Sequence, residues 1–191
     1  MNVGDLRVVK TRASIKKAFM TLLFEKDFDT ISIKEITEFA QIGRKTFYLH
    51  YIDKYDLLDQ VVSEKLIELE QISEAKKSLG IQEGTQLWFE FFENNRTFFM
   101  KIFNINNASN YKKKLLHFIE EEFKKKVPTL VAIEKGLDYD LYINFISNGI
   151  IGLLDIYLNS SENTEEQEKN NIAGVAPTIF VRFNLKLSYL Y

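Results

Sequence analysis

The stretch from Ser32 to Leu58, SIKEITEFAQIGRKTFYLHYIDKYDLL, decides the fold. Ser32 is followed three residues later by Glu35, which is the arrangement of a capping box at the start of a helix. Apolar residues then repeat at helical spacing, at Ile33, Ile36, Phe39 and Ala40. The repeat stops at Gly43, so the sequence predicts a short helix that ends there.

A second short helix is predicted from Arg44 to Tyr51, with Phe47 and Tyr51 four residues apart on its inward face. Asp53 then caps a long helix. Two short helices joined by a tight turn are the smallest device that places a helix in the DNA major groove. The outward side chains are mostly basic or hydroxylated, which suits DNA contact: Arg44, Lys45, Thr46, Tyr48 and His50. Lys54, at the start of the long helix, is predicted to hold a phosphate.

The run from Ile36 to Leu58 resembles the signature of the TetR/AcrR regulator family, roughly I-A-x-x-A-G-V-S-x-x-T-x-Y-x-H-F-x-x-K-x-x-L. The positions in register are Thr46, Tyr48, His50, Tyr51 in place of Phe, Lys54 and Leu57, and the upstream helix with Phe19 and Leu22 also matches. The resemblance implies an N-terminal helix-turn-helix domain and a variable helical ligand-binding domain. It also implies phosphate contacts by Thr46, Tyr48, His50 and Lys54, with Arg44 and Lys45 nearest the base edges.

Three residues depart from that signature. Gln41 stands where the family usually has Gly, and Gly43 stands where it usually has Ser or Thr as a helix cap. Lys45 replaces a residue that is usually small. Because a long cation at that place changes which base is read, the operator sequence cannot be inferred from relatives.

The rest of the chain also has helical spacing, so we expect an all-α protein of about nine helices. A first helix over 13–26 is predicted to be capped by Thr11. The pattern predicts a DNA-binding domain over 1–58 and a helical effector-binding and dimerisation domain over 59–191. For the segment 174–191, the sequence allows either a helix or a strand.

The second domain carries two sets of candidate site residues. Aromatic side chains that could line an effector cavity or simply form core are Trp88, Phe92, Phe99, Phe103, Tyr142 and Phe145. The most apolar helix, 138–158, carries a stripe that could pack against a second subunit or lie in the core: Ile146, Gly149, Ile150, Leu153 and Tyr157. The resemblance implies a homodimer whose last two long helices form an intermolecular bundle.

Composition narrows the function classes. The 191 residues include no Cys, which excludes disulfides and thiolate chemistry, and 46% are hydrophobic, enough for a substantial core. Residues 1–58 carry a net charge of +2 and the remainder −4. Met1 to Lys10 lacks the apolar run of a signal peptide, and the apolar runs are shorter than a membrane span. We therefore expect a cytoplasmic protein with no membrane partner, no cofactor and no metal site.

The sequence favours a regulator that binds double-stranded operator DNA as a homodimer. We expect a repressor that a small apolar or aromatic effector releases from a palindrome. The alternative is a protein-interaction adaptor of the same fold without a small-molecule effector. An enzyme is not expected, because the sequence shows no acid–base pair, nucleophile–base arrangement or glycine-rich phosphate loop.

Overall fold

The computed structural model describes residues 3–75, 81–105, 109–126 and 138–159. Within these ranges the chain forms eight α-helices and one 3-10 turn, and no strand, which confirms the all-α prediction. The elements in chain order are α1 (Val3–Glu25), the 3-10 turn (Phe28–Thr30), α2 (Ile33–Phe39), α3 (Arg44–Tyr48), α4 (Lys54–Ala75), α5 (Ile81–Asn94), α6 (Arg96–Phe103), α7 (Ser109–Lys126) and α8 (Tyr139–Asn159). The segment 174–191 lies outside the described residues.

The first helix begins earlier than predicted. It starts at Val3, so Thr11 lies inside α1 and does not cap it. The Thr11 hydroxyl donates instead to the carbonyl of Arg7, one turn earlier, at 2.9 Å. A threonine that bonds to the preceding turn satisfies its hydroxyl without ending the helix. The correction adds nearly three helical turns, which carry Arg7 and Lys10.

The chain divides into two compact units, and the boundary lies within α4, between Ile67 and Glu68. Unit 1 contains α1 to α3 and the first part of α4. Unit 2 contains the end of α4 and the helices α5 to α8. The functional division at residue 58 remains a prediction.

The core of unit 1 is built from the apolar faces of its helices. Side chains that are essentially inaccessible to solvent include Ile15, Phe19, Leu23, Ile36, Phe47, Leu57 and Leu58. Phe28, from the 3-10 turn, packs edge-on against Phe19, with ring centroids 6.2 Å apart. Because fully burying such a side chain contributes roughly 1.5–3 kcal/mol, this core holds the short helices α2 and α3 in place.

Unit 2 has its own core of phenylalanines from α5 and α6. Polar pairs fix the register of α7 against α8: the Asn144 amide donates to Glu120 at 3.1 Å, and Lys112 pairs with Asp155 at 3.0 Å. Because the residue number rises on α7 as it falls on α8, these two helices run antiparallel. The Arg96 guanidinium donates to the carbonyl of Tyr157 at 3.0 Å, which satisfies an acceptor at the end of α8.

Among the described residues, one helix, α8, is long and apolar enough to cross a membrane by length and composition. Its most apolar window has a mean hydropathy of 1.4, and a third of that window is buried inside the protein. The expectation that all apolar runs are too short for a span therefore overlooked this helix. Core helices of soluble proteins pass the same test, so the finding alone does not place the chain in a membrane.

Candidate nucleic-acid interface

The capping box predicted at Ser32 is present at the start of α2. The Ser32 hydroxyl oxygen accepts from the backbone N–H of Glu35 at 3.3 Å, and the Glu35 carboxylate accepts from the backbone N–H of Ser32 at 2.9 Å. Lys26 forms an ion pair with the same carboxylate. Lys26 and the Ser32 donors together lower the pKa of Glu35 from 4.5 to about 2. The beginning of α2 is therefore held by a charged carboxylate that three groups share.

The turn between α2 and α3 contains Gln41, the first residue that departs from the family signature. Gln41 adopts a left-handed conformation with φ of 55°. The N–H of Gln41 donates to the carbonyl of Glu38 at 3.1 Å, and the N–H of Ile42 donates to Thr37 at 3.0 Å. This pair of bonds is a Schellman motif, whose left-handed position is usually Gly because Gly has no Cβ. Gln41 therefore occupies a position at which glycine is favoured.

Gly43 begins α3 without a side-chain cap. Its extended backbone, with φ of −77° and ψ of 150°, has the conformation of an N-cap residue, but it supplies no side-chain acceptor. Gly43 therefore lies at the N-cap position of α3, as predicted. Because its φ is negative, this glycine is not required by backbone conformation.

The two faces of α3 separate core from surface. Phe47 is fully buried, and Tyr51 beyond the end of the helix is also buried, as predicted. The five predicted DNA-contacting residues of this segment all reach the surface of unit 1. Arg44, Lys45 and Tyr48 are exposed, and Thr46 and His50 are half-buried. The T-shaped contact of the Tyr48 ring with Phe47, with centroids 5.6 Å apart, orients this tyrosine while its side chain stays 57% exposed.

The structure does not support the phosphate contact predicted for Lys54. Its amino group donates to three backbone carbonyls of the 3-10 turn and its flank: Phe28 at 3.0 Å, Asp29 at 2.9 Å and Ile31 at 2.9 Å. The nitrogen also lies 4.7 Å from the centre of the Phe28 ring. A lysine ammonium has three hydrogens to donate, and these bonds use all of them. In this structure Lys54 ties the turn before α2 to the beginning of α4, and its phosphate contact stays a prediction.

The backbone N–H groups at the start of α4 are also occupied. The Asp53 carboxylate accepts from the N–H of Tyr55 and of Asp56, both at 2.8 Å, which confirms Asp53 as the predicted cap. The Asp56 carboxylate accepts from the N–H of Ile52 at 2.9 Å. Two carboxylates therefore accept from the backbone donors at this helix start.

Sequence reasoning missed two surface features of unit 1. Leu49 and Ile52, beside the end of α3, are each 80% exposed, although such side chains usually avoid water. Apolar side chains next to a recognition helix can contact thymine methyl groups. Arg7 and Lys10 on α1 are exposed near the α2–α3 turn. They were missed because the first helix was expected to begin after them.

The six aromatic residues predicted to line an effector cavity do not lie together. Phe92, Phe99 and Phe103 are buried in ring-to-ring contact, with centroids of Phe92 and Phe99 only 4.8 Å apart. This is the geometry of packed core. Trp88 is half-buried and donates its indole N–H to Ser73 at 2.7 Å.

The other two aromatic residues lie one turn apart on α8 and differ in burial. Phe145 is 65% exposed, and its predicted place in an effector cavity stays a prediction. Tyr142 is buried, its hydroxyl has no hydrogen-bond partner among the described residues, and burial raises its pKa. Of the six residues, Tyr142 is the one whose polar atom is unsatisfied within the described part of the chain.

The predicted dimer stripe on α8 is displaced around the helix. Ile146 and Tyr157 are buried within the protomer, and the Tyr157 hydroxyl donates to Glu93 at 2.5 Å. Gly149 is exposed, and Ile150 and Leu153 are half-buried. The outward stripe is made of apolar residues and glycines at helical spacing: Leu141, Phe145, Gly149, Gly152 and Ile156. Two of the five predicted residues, Ile146 and Tyr157, thus belong to the core. We call the five outward positions, from Leu141 to Ile156, the outer stripe of α8.

A capped short helix, a tight turn and a second helix with exposed basic side chains define a helix-turn-helix DNA-binding protein. Comparison with known proteins agrees. Residues 80–173 match the family described as "Transcriptional regulator C-terminal region", a TetR-type family. Over 66 residues the chain is 42% identical to the regulator YxbF of Bacillus subtilis, a stretch that is 34% of this chain and 17% of YxbF.

Two further similarities extend over most of the chain. DhaS of Lactococcus lactis, the transcriptional activator of the dhaKLM operon, is 29% identical over 140 residues, covering 71% of each protein. The solved structure of DhaS superposes with a TM-score of 0.61 at 26% identity, covering 88% of this chain and 95% of DhaS. A TetR regulator from Streptococcus agalactiae shares the fold, with a TM-score of 0.66 at 19% identity, covering 93% and 97%. The match over residues 80–173, with the similarity to DhaS over most of the chain, makes this chain a TetR-family transcriptional regulator.

Proposed function

We propose that the chain is a dimeric, ligand-responsive regulator that reads a palindromic operator through α3. The observation that carries this proposal is the exposed face of α3, where Arg44, Lys45 and Tyr48 point outward while Phe47 anchors the helix in the core. Arg and Lys can donate to guanine edges, and a hydroxyl can reach phosphate or base. Thr46 and His50, half-buried beside them, supply further phosphate contacts.

Dimerisation follows from the outer stripe of α8. Large apolar side chains are exposed at both ends of the stripe, and in its middle nothing lies within 4 Å of a Cβ added at Gly149 or Gly152. Exposed apolar surface of this kind marks an interaction site, and glycines let a second helix approach closely. A two-fold dimer would present two α3 helices to half-sites about one helical turn apart, about 34–36 Å.

An effector would bind in unit 2. The hydroxyls of Tyr142 and Ser147 are buried and have no hydrogen-bond partner among the residues that the structure describes. They favour a ligand with a polar atom over a purely apolar one, because an unsatisfied buried hydroxyl is destabilising. Since α4 belongs to both units, it is the element through which occupancy of unit 2 would change operator affinity. The repressor role expected from the sequence receives no support from DhaS, which is an activator.

The experiment is selection of binding sites from random duplex DNA by the purified full chain, followed by fluorescence anisotropy with the selected duplex. We expect a palindrome, and we expect Arg44→Gln to relax the base preference in each half-site. Lys113→Gln, which removes an exposed cation on α7, is the matched control and should bind as the wild type does. A chain that enriches no DNA even at low salt would support the adaptor function instead. A reporter gene placed behind the selected site then gives the sign of regulation.

A further inference from the structure

Unit 1 has a groove between α1 and the turn that joins α2 to α3. From α1 its lining includes Arg7, Lys10 and Ser14, and from the turn it includes Gln41 and Ile42. The turn residues directly precede Gly43 and Arg44 in the chain. The groove therefore ends one residue before the N-cap of α3 along the chain.

The charge of this groove is not neutralised by the residues around it. Three lysines of unit 1 are paired with carboxylates: Lys16 with Glu64, Lys26 with Glu35 and Lys34 with Glu38. Arg7 and Lys10 are exposed and form no ion pair within the described residues. Two uncompensated cations beside a basic helix attract an anionic partner.

Gln41 adds a second kind of group to the same groove. Its side chain is exposed, and its amide can both donate and accept hydrogen bonds. The residue holds this place in a left-handed conformation with φ of 55°. Such a conformation is unfavourable for residues with a Cβ, and strain of this kind often lies at functional sites.

We propose that this groove holds one strand of the DNA sugar-phosphate backbone beside the major groove that α3 enters. Arg7 and Lys10 supply charge to the phosphates, and Gln41 and Ser14 supply hydrogen-bond donors. The contact fixes the position of α3 on the duplex and carries no sequence information itself. This inference rests on the proposed DNA-binding function and assigns α1 a part in it.

The test uses the full chain and the duplex selected by the wild type, with anisotropy titrations over a series of salt concentrations. In the double variant Arg7→Gln/Lys10→Gln we expect log K to fall less steeply with log salt, by about 1.8 per protomer, because two phosphate contacts are lost. We also expect the affinity for the selected duplex and for unrelated DNA to fall by the same factor at low salt. The double variant Lys113→Gln/Lys124→Gln changes the net charge equally, on exposed positions of α7, and should leave the slope unchanged.

Gln41→Gly provides an independent arm, because it relieves the backbone and removes the amide. We expect this variant to fold and to bind both DNAs several-fold more weakly. An unchanged slope in the α1 double variant, with wild-type DNA binding intact, would overturn the groove assignment and leave the proposed function standing. A loss restricted to A·T-rich flanks would also overturn it, because the groove would then be reading bases in the minor groove. Failure of the wild type to select any duplex would contradict the proposed function itself.

Discussion

Gln41 is the residue at which the chain turns from α2 toward α3. Its positive φ belongs to the left-handed end of a Schellman motif, where a Cβ is costly by roughly 1–2 kcal/mol. Replacement by Gly removes that cost, while it adds some entropy to the unfolded chain. We therefore expect Gln41→Gly to raise the free energy of unfolding by about 1 kcal/mol in urea titrations followed by circular dichroism.

The control for this prediction is Glu38→Gly, since Glu38 is exposed within α2 and has helical backbone. There a glycine should lower the free energy of unfolding by about 0.5–1 kcal/mol. If both variants are destabilised, relief of the left-handed backbone at Gln41 does not outweigh the entropy that glycine adds to the unfolded chain. A rise in stability together with weaker DNA binding would show that the backbone conformation of Gln41 lowers stability and that its side-chain amide contributes to DNA binding.

Lys54 is a second residue whose chemistry is decided by its surroundings. Its three hydrogen bonds to carbonyls would be lost in Lys54→Met, which leaves those acceptors without their charged donor. We expect this variant to lower the free energy of unfolding by about 1–3 kcal/mol and to leave the salt dependence of DNA binding unchanged.

Lys45→Met is the counterpart, since Lys45 is exposed on α3. Its stability should stay within about 0.5 kcal/mol of the wild type. Its plot of log K against log salt should be shallower by about 0.9 per protomer. If a Lys54→Met chain has normal stability and a shallower plot of log K against log salt, Lys54 makes the phosphate contact that the sequence predicted.

At the scale of single elements, the start of α2 depends on the charge of Glu35. Its pKa in the folded chain is about 2, below the ordinary 4.5, so the charged form is stabilised by folding. The contribution is therefore complete above pH 4.5 and is lost as the pH falls through 2. The difference in free energy of unfolding between wild type and Glu35→Gln should be largest above pH 5 and should shrink toward zero near pH 2.

A double-mutant cycle with Lys26→Met completes this test, because the Lys26 contact is the largest cause of the lowered pKa. In that background the pH dependence of the Glu35→Gln difference should be weaker but not absent, since the Ser32 donors remain. A difference that is constant from pH 6 to pH 2 would mean that the carboxylate does not hold the helix start. Guanidine is avoided in these measurements because its ions screen the pair.

Features that depend on neighbouring residues could be predicted from the sequence, and those that depend on distant partners could not. The Ser32 cap and the Asp53 cap involve residues within three positions, so residue type and spacing predict them. The partners of Lys54 lie more than twenty residues away, and spacing carries no information about them. The sequence therefore assigned this lysine to DNA from its place at a helix start and from the family signature.

The orientation of α8 shows the same limit for a whole helix. A sharply amphipathic helix reveals its buried face by its period, but α8 is apolar nearly all round and has no clear phase. The choice between Ile146 and Phe145 as the outward residue is made by packing against α7 and by contacts such as Tyr157 with Glu93. Those contacts place Ile146 inside and Phe145 outside.

At the scale of the whole molecule, a regulator that reads a palindrome requires two copies of the chain, and the outer stripe of α8 is where we expect them to meet. In a two-fold interface, residues near the axis face their own copies or each other. Phe145→Glu would place two like charges in a desolvated apolar contact, which is strongly unfavourable. We therefore expect this variant to sediment as a monomer at micromolar concentration, at which we expect the wild type to sediment as a dimer.

Ile67→Glu is the matched control, because Ile67 is also an exposed apolar residue, at 52%, but lies on α4. It should remain a dimer. The monomeric Phe145→Glu chain retains an intact α3, so its salt dependence per protomer should be unchanged. Its binding to a single half-site should be much weaker than the binding of the dimer to the palindrome, because the second contact is lost. A Phe145→Glu chain that still sediments as a dimer would place the subunit interface on another face, and the spacing of the two α3 helices would then have to follow from that face.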